Sequence, residues 1–323
     1  MPHALLLTGS EGIGKGRFAL AMAARLLCEA PLSSGDACGE CPSCRWFASG
    51  NHPDFRHVIP EADVDSEGAF PEGERKKSGS QQILINQIRA LEDFVFVGGH
   101  RSGARVLVVE PADAMNQPAQ NAILKILEEP PSSVYFILIS THWRRLLPTI
   151  RSRCRKLPLP RPSSSEAQAW LRTRDETAIK LLPLLGNAPL LAHAASESGR
   201  GSVYLGVLAS LADPGRDPLA LAARWQTQLQ PKSEGGLPVQ AFVETVQKWV
   251  FNLALFKLAG RTRLGSETDA LCRLAGHASA GGLLRCYNEL MKARSLASHP
   301  LNPQLFFEDI AERYLRALAS ERT

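Results

Sequence analysis

Gly9-Ser10-Glu11-Gly12-Ile13-Gly14-Lys15-Gly16 is the stretch on which the reading of the fold turns. It follows the apolar run Ala4-Leu5-Leu6-Leu7 and opens a helical pattern over Phe18–Leu27. Strand, glycine-rich loop and helix, in that order, is the setting a phosphate-binding loop requires. Glycines let backbone N–H groups turn toward a phosphate, and a helix N-terminus adds positive potential. The candidate contacts are Gly9, Gly12, Gly14 and Lys15, the lysine as a point charge. A working loop carries Ser or Thr after the lysine to hold Mg²⁺; here that residue is Gly16. The cradle is present and the metal hydroxyl is not. The alternative is a turn between strand and helix that binds nothing.

Further along, Arg105-Val106-Leu107-Val108-Val109-Glu110 reads as a buried strand with an acid at its C-terminal end. In a nucleotide-binding sheet, Glu110 takes the place of the acid that holds the Mg²⁺ shell. The next residue, where a water-polarising glutamate belongs, is Pro111, which cannot act as a base. A plain strand-end charge is an equal reading of Glu110. Asn116–Glu129 has helical spacing through Ala119, Ala122, Ile123, Ile126 and Leu127, and Pro130-Pro131 stops it. Val134–Thr141 is another buried strand, ending in two hydroxyls. Strands alternating with helices predict a parallel α/β sheet.

Four of the seven cysteines cluster. Cys38, Cys41 and Cys44 form C-x-x-C-x-x-C, and Cys28 closes the first helix. Two-residue gaps turn neighbouring thiolates onto one ion, so the set predicts a closed, structural Cys₄ zinc site. Buried small hydrophobes are the plainer alternative. Cys154, Cys272 and Cys286 are isolated. An odd cysteine count and metal-type spacing fit a reducing compartment.

The chain has 323 residues, 44% of them hydrophobic, and a net charge of +5, enough for two or three domains and compatible with a nucleic-acid partner. No stretch of 18 apolar residues occurs and only Met1-Pro2-His3 precede the first strand, so the expectation is a cytoplasmic protein without signal peptide or membrane contact. Glu61–Ser80 is polar and reads as a mobile loop; Ile83, Ile85, Ile88 and Leu91 lead into a helix; Leu157–Ser165 reads as a linker. Beyond it the pattern is helical: a short unit from about Ser165 to Ser196, then Val239–Leu258, Leu283–Leu296 and Leu305–Leu318. Phe242, Val246, Trp249, Val250, Leu253 and Phe256 make one broad apolar face.

Several ordered motifs carry a resemblance. They are the His3–Leu7 strand with its phosphate loop, the Cys₄ module, and His52-Pro53-Asp54 after it. Then come Asn121-Ala122-Ile123-Leu124-Lys125-Ile126-Leu127-Glu128-Glu129-Pro130-Pro131 and Thr149-Ile150-Arg151-Ser152-Arg153-Cys154. On these the chain resembles the delta-prime subunits of bacterial DNA polymerase III clamp loaders, within the AAA+ ATPase superfamily, closely over residues 3 to about 157 and by pattern beyond.

The resemblance implies a RecA-like AAA+ domain with its zinc module (residues 1–157, cysteines within 28–44), a helical lid (158–200) and an all-α collar (201–323). It implies a stator role in a hetero-pentameric ring with gamma/tau motor subunits and a delta subunit. That ring uses ATP to load the sliding clamp, which this subunit touches mostly indirectly, onto primed DNA. Such a subunit does not hydrolyse ATP, in keeping with Gly16 and Pro111 and with a lid turn, Gly186-Asn187-Ala188-Pro189, that lacks the nucleotide-sensing arginine of active relatives. ATP or ADP binding is therefore doubtful and no Mg²⁺ is expected. The short start before the first strand, where relatives place a segment over the base, points the same way. Arg153 is implied as an arginine finger reaching in trans into a neighbour's ATP site. A solvated or DNA-facing basic patch is the alternative, because Arg144, Arg145, Arg151, Arg155 and Lys156 are near it in sequence. Competing with the stator reading are an active AAA+ motor ATPase, against which Gly16 and Pro111 argue, and a zinc-dependent DNA-binding module, for which the cysteine stretch offers only Arg45, Trp46 and Phe47.

Overall fold

The computed structural model describes residues 2–63, 79–96, 103–229, 236–264, 268–297 and 302–319. The chain divides into two compact units, Met1–Arg161 and Pro162–Thr323. The loop expected over Glu61–Ser80 lies, apart from its ends, outside the described residues.

The first unit is built on five strands: β1 (Ala4–Thr8), β2 (Phe55–Val58), β3 (Arg105–Val109), β4 (Val134–Ser140) and β5 (Arg155–Pro158). They form one parallel sheet in the order β2-β3-β4-β1-β5. The three inner strands are apolar along their middles, with polar residues only at their ends (Thr8, Arg105 and Ser140) apart from Tyr135, because helices cover both faces. On one face Leu7, Val106, Val108, Ile137 and Ile139 pack with Ala19, Ala23 and Leu27 of α1 (Lys15–Leu27). On the other, Leu6, Leu107, Val109, Phe136 and Leu138 meet α3 (Ile85–Phe96) and α4 (Gln117–Glu128) through Ile88, Leu91, Ile123 and Ile126, with Ile150 of α5 (Pro148–Arg153) in the same cluster. A short helix, α2 (Pro42–Ala48), lies within the cysteine stretch.

The two edge strands depart from the sequence reading. Leu157-Pro158, assigned by composition to a linker, pair instead with Leu7 and Thr8 of β1. Proline fits there because β5 is an edge strand, where a missing N–H breaks no inner ladder. Phe55–Val58, which no pattern had marked, is β2: only its two end residues are buried, and four residues are too few for a periodic signal. Ile83 makes an isolated bridge to Met115 just before α3.

The second unit is helical: α6 (Ser164–Arg172), α7 (Pro189–Glu197), α8 (Arg200–Ala212), α9 (Pro218–Leu229), α10 (Val239–Ala259), α11 (Thr268–His277), α12 (Ala280–Leu296) and α13 (Pro303–Leu318). Ser163 and Glu166 form a capping box that starts α6 just past the unit boundary. One apolar cluster gathers α6 and α7 with Ala178, Leu181, Leu182 and Leu185 between them. A larger one gathers α8 to α13 around Trp225, Phe242, Trp249 and Tyr314. The expected apolar face of α10 is the buried one: Phe242, Val246, Trp249, Val250 and Leu253 are fully buried, and Phe256 packs at its margin. At the centre Trp249 Nε1–H donates to Tyr314 Oη at 2.8 Å, and Tyr314 O–H donates to the Leu211 carbonyl at 2.6 Å. No helix among the described residues is long and apolar enough to cross a membrane.

Candidate functional site

The glycine loop follows β1 and ends at Gly14, which caps α1 with φ 99°, a left-handed conformation that glycine adopts without strain. Gly9 and Gly12 lie in the same turn ahead of it. Lys15 is buried, and its Nζ donates to the Ser10 carbonyl at 2.7 Å and to Thr141 Oγ1 at 3.1 Å. Burial lowers its pKa, partly offset by the carboxylates of Glu110, Glu11 and Asp113. Arg161 Nε donates to Ser10 Oγ at 2.5 Å, so Ser10 is tied by two cations.

Glu110 follows β3 and stands over the start of α1. A Cβ at Gly16 would meet both its carboxylate oxygens at 2.7 Å and its Cδ at 3.1 Å. The acid thus occupies the space into which a hydroxyl at position 16 would project. Its Oε2 lies 3.6 Å from His57 Nε2. The fold brings Lys15, Gly16 and Glu110 together, with Pro111 the next residue after the acid. Asp113, which the sequence did not single out, and Thr141, read there only as a strand-end hydroxyl, belong to the same neighbourhood. Ser140 Oγ donates to Asp113 Oδ1 at 2.5 Å, and His142 Nδ1 lies 3.3 Å from Oδ2. Only the parallel pairing of β3 and β4, which sets the segments after the two strands side by side, brings them together, so no local sequence pattern could announce them.

The four clustered cysteines converge. The sulfurs of Cys28, Cys38, Cys41 and Cys44 all lie within 4.8 Å of one another, and the Cys38–Cys44 pair is 3.9 Å apart. A tetrahedral ion with Zn–S bonds of about 2.3 Å puts sulfurs about 3.8 Å apart, so the set needs only a slight contraction to fit. Backbone N–H groups already point at sulfur: Cys38 to Cys28 Sγ at 3.3 Å, Cys41 to Cys38 Sγ at 3.3 Å, and Cys44 to Cys41 Sγ at 3.4 Å. Such donors favour thiolates. The N–H of Cys41 lowers the Cys38 thiol. At Cys41 burial pushes upward, but the N–H of Cys44 and further hydrogen bonds prevail and bring the thiol to about 6. Burial pushes Cys44 up to about 12 without an ion. The residues present fit a structural zinc ion, and this cluster could hold one.

His52 and Ser43 fasten this centre to the sheet. Asp54 N–H donates to His52 Nδ1 at 3.0 Å, which leaves the proton on Nε2. Nε2 donates to Ser43 Oγ at 2.7 Å, and Ser43 donates to the Leu27 carbonyl at 2.6 Å. All three side chains are buried, and burial lowers the His52 pKa. One chain of hydrogen bonds therefore joins the end of α1, the start of α2 and the approach to β2.

Arg153 is the last residue of α5. Its Nη2 pairs with Glu128 Oε1 at 2.6 Å, and Nη1 donates to the Thr149 carbonyl at 3.1 Å. The ring of Trp143 carries three of the other cations of this stretch: Lys156 Nζ 3.4 Å, Arg144 Cζ 4.6 Å and Arg151 Cζ 5.5 Å from the centroid. Cys154, next in sequence, is buried, and burial raises its thiol to about 11.

The chain is similar to several known proteins. The family model described as "DNA polymerase III, delta subunit" matches residues 1–163, half of the chain. A DNA polymerase III subunit delta' from Pseudomonas aeruginosa is 41% identical over 196 residues, 59% of this chain and 55% of that protein. The same subunit from Escherichia coli is 32% identical over 169 residues, 52% of this chain and 46% of that protein. The chain thus spans about half the length of the curated relatives it matches. Among solved structures, a DNA polymerase III gamma subunit-related protein from Thermotoga maritima aligns with 98% of this chain and 96% of its own, at 15% identity and a TM-score of 0.49. The match across the whole sheet-bearing unit, together with the two subunits named delta', decides the matter: the chain belongs to the DNA polymerase III delta subunit family.

Proposed function

We propose that this chain is the delta-prime, stator subunit of a DNA polymerase III clamp loader. In this reading it is an accessory, non-hydrolysing AAA+ member of a cytoplasmic ring with gamma/tau and delta subunits that loads the sliding clamp onto primed DNA. Residues 1–157 act as the AAA+ domain, 158–200 as the lid and 201–323 as the collar that joins the ring. Cys28, Cys38, Cys41 and Cys44 hold one structural zinc ion. The observation that supports the absence of hydrolysis is the pair Gly16 and Pro111 in this neighbourhood: position 16 offers no hydroxyl to a metal ion, and position 111 offers no base to a water. Gly9, Gly12, Gly14 and Lys15 remain as a loop whose lysine is engaged by its own chain.

Arg153 serves as a finger in trans. A planar guanidinium gives fixed, bidentate contacts to the charge developing on a neighbour's γ-phosphate. The experiment is reconstitution of the ring with motor and delta subunits. Arg153→Ala leaves assembly intact, lowers clamp- and DNA-stimulated ATP hydrolysis, and slows clamp loading more. Fingers contribute about a thousandfold or more at a single site, diluted here by the other motor sites. An unaltered rate defeats the finger; Mg²⁺-dependent turnover by the chain alone, abolished by Lys15→Ala, defeats the stator. The cations around Trp143 favour contact with DNA phosphates as well, tested by a salt-dependent loss of primed-DNA affinity in Lys156→Ala.

A further inference from the structure

We infer that Glu128 is the positioning residue of Arg153, and that the two sequence motifs in which they lie form one device. The inference rests on the trans role proposed for Arg153. An arginine at an exposed helix end sweeps many rotamers, and ordering it when a neighbour docks costs binding or rate. Here the ordering is built in. Glu128 Oε1 takes Nη2 at 2.6 Å and the Thr149 carbonyl takes Nη1 at 3.1 Å.

Both anchors are themselves fixed. Glu128 ends α4, directly after Leu127, which is buried in the core under the sheet, and Pro130-Pro131 follow. Ile150, one residue after Thr149 and three before Arg153, is buried in the same cluster. The carboxylate and the helix that bears the arginine are thus held by one packed core, at a set distance from each other. Of five guanidinium N–H donors two are engaged, which leaves three for phosphate oxygens.

The pairing is selective. Of Arg144, Arg145, Arg151, Arg153, Arg155 and Lys156, Arg153 is the one in an ion pair among the described residues. The rival account is an ordinary exposed ion pair, since the side chains are 36% and 50% accessible, with no part in the reaction.

The two accounts separate in the reconstituted ring. Glu128→Gln keeps size and removes charge. The quantity to follow is Arg153-dependent hydrolysis, the part that Arg153→Ala removes, with its kcat and KM for ATP. Glu128→Gln is expected to lower that kcat about two- to fivefold, the span that exposed ion pairs cover, and to leave KM unchanged. In an Arg153→Ala background Glu128→Gln is expected to change nothing further. If Arg153→Ala slows hydrolysis and Glu128→Gln does not, positioning by Glu128 is wrong and the finger stands. If Glu128→Gln acts equally in both backgrounds, or raises KM alone, the carboxylate works elsewhere and the inference fails. If Arg153→Ala is silent, finger and positioning fall together. Zinc content and helical circular dichroism of Glu128→Gln are expected to match the parent.

Discussion

Tyr314→Phe removes one oxygen from the helical unit and leaves two buried groups without partners. Tyr314 is fully buried between α8, α10 and α13. Its hydroxyl accepts from Trp249 Nε1 and donates to the Leu211 carbonyl. Leu211 is the penultimate residue of α8, so its carbonyl has no partner within the helix and relies on this hydroxyl. Each orphaned group costs about 1–3 kcal/mol when no water can reach it. The substitution keeps the ring, so no cavity larger than an oxygen forms, and the expected loss is about 2–6 kcal/mol. Against a total of about 5–15 kcal/mol for a domain this is a large fraction. Urea unfolding followed by far-ultraviolet circular dichroism measures it, as a lower midpoint of the helical unit's transition with an unchanged slope. A loss under about 1 kcal/mol would mean that the two partners find other bonds, and that the hydroxyl does not tie the three helices together.

Three further outcomes follow from the first unit. The buried neutral ring of His52 resists protonation in the folded chain, whereas the unfolded chain takes up a proton near 6.5, so stability falls as pH drops through and below about 6.5, by at most about 1.4 kcal/mol per pH unit. His52→Gln lacks that share of the pH dependence, and an identical profile for parent and variant in urea unfolding refutes the assignment. Chelation under reducing conditions is expected to release one zinc ion per chain and to loosen the cysteine stretch; metal analysis yielding under about half an equivalent in fresh protein counts against the site. Asn116 Oδ1 accepts from Ala119 N–H at 2.9 Å and caps α4, so Asn116→Ala is expected to cost about 1 kcal/mol in thermal unfolding of the first unit.

What was legible in the sequence follows from how each residue is surrounded. β1, β3 and β4 are buried on both faces, so their apolar runs announced them. β2 and β5 lie at the edges with exposed residues, and neither composition nor period separates such strands from loop. The cysteines were readable because metal spacing is written in the chain itself. His52-Pro53-Asp54 stood out only as a motif; its work became visible once Ser43 and the end of α1 were seen beside it. The Glu110–Gly16 approach and the Glu128–Arg153 pair join positions far apart in sequence, and they exist only through the packing of the sheet and its helices.

The approach of Glu110 to Gly16 couples two positions that lie far apart in sequence. A serine at position 16 would set its Cβ 2.7 Å from both carboxylate oxygens, so the Glu110 side chain has to turn to admit it. Only the far end of a flexible side chain moves, and its 3.6 Å approach to His57 changes with it. Gly16 and Glu110 therefore behave as a pair: the absence of a side chain at one sets where the acid rests at the other.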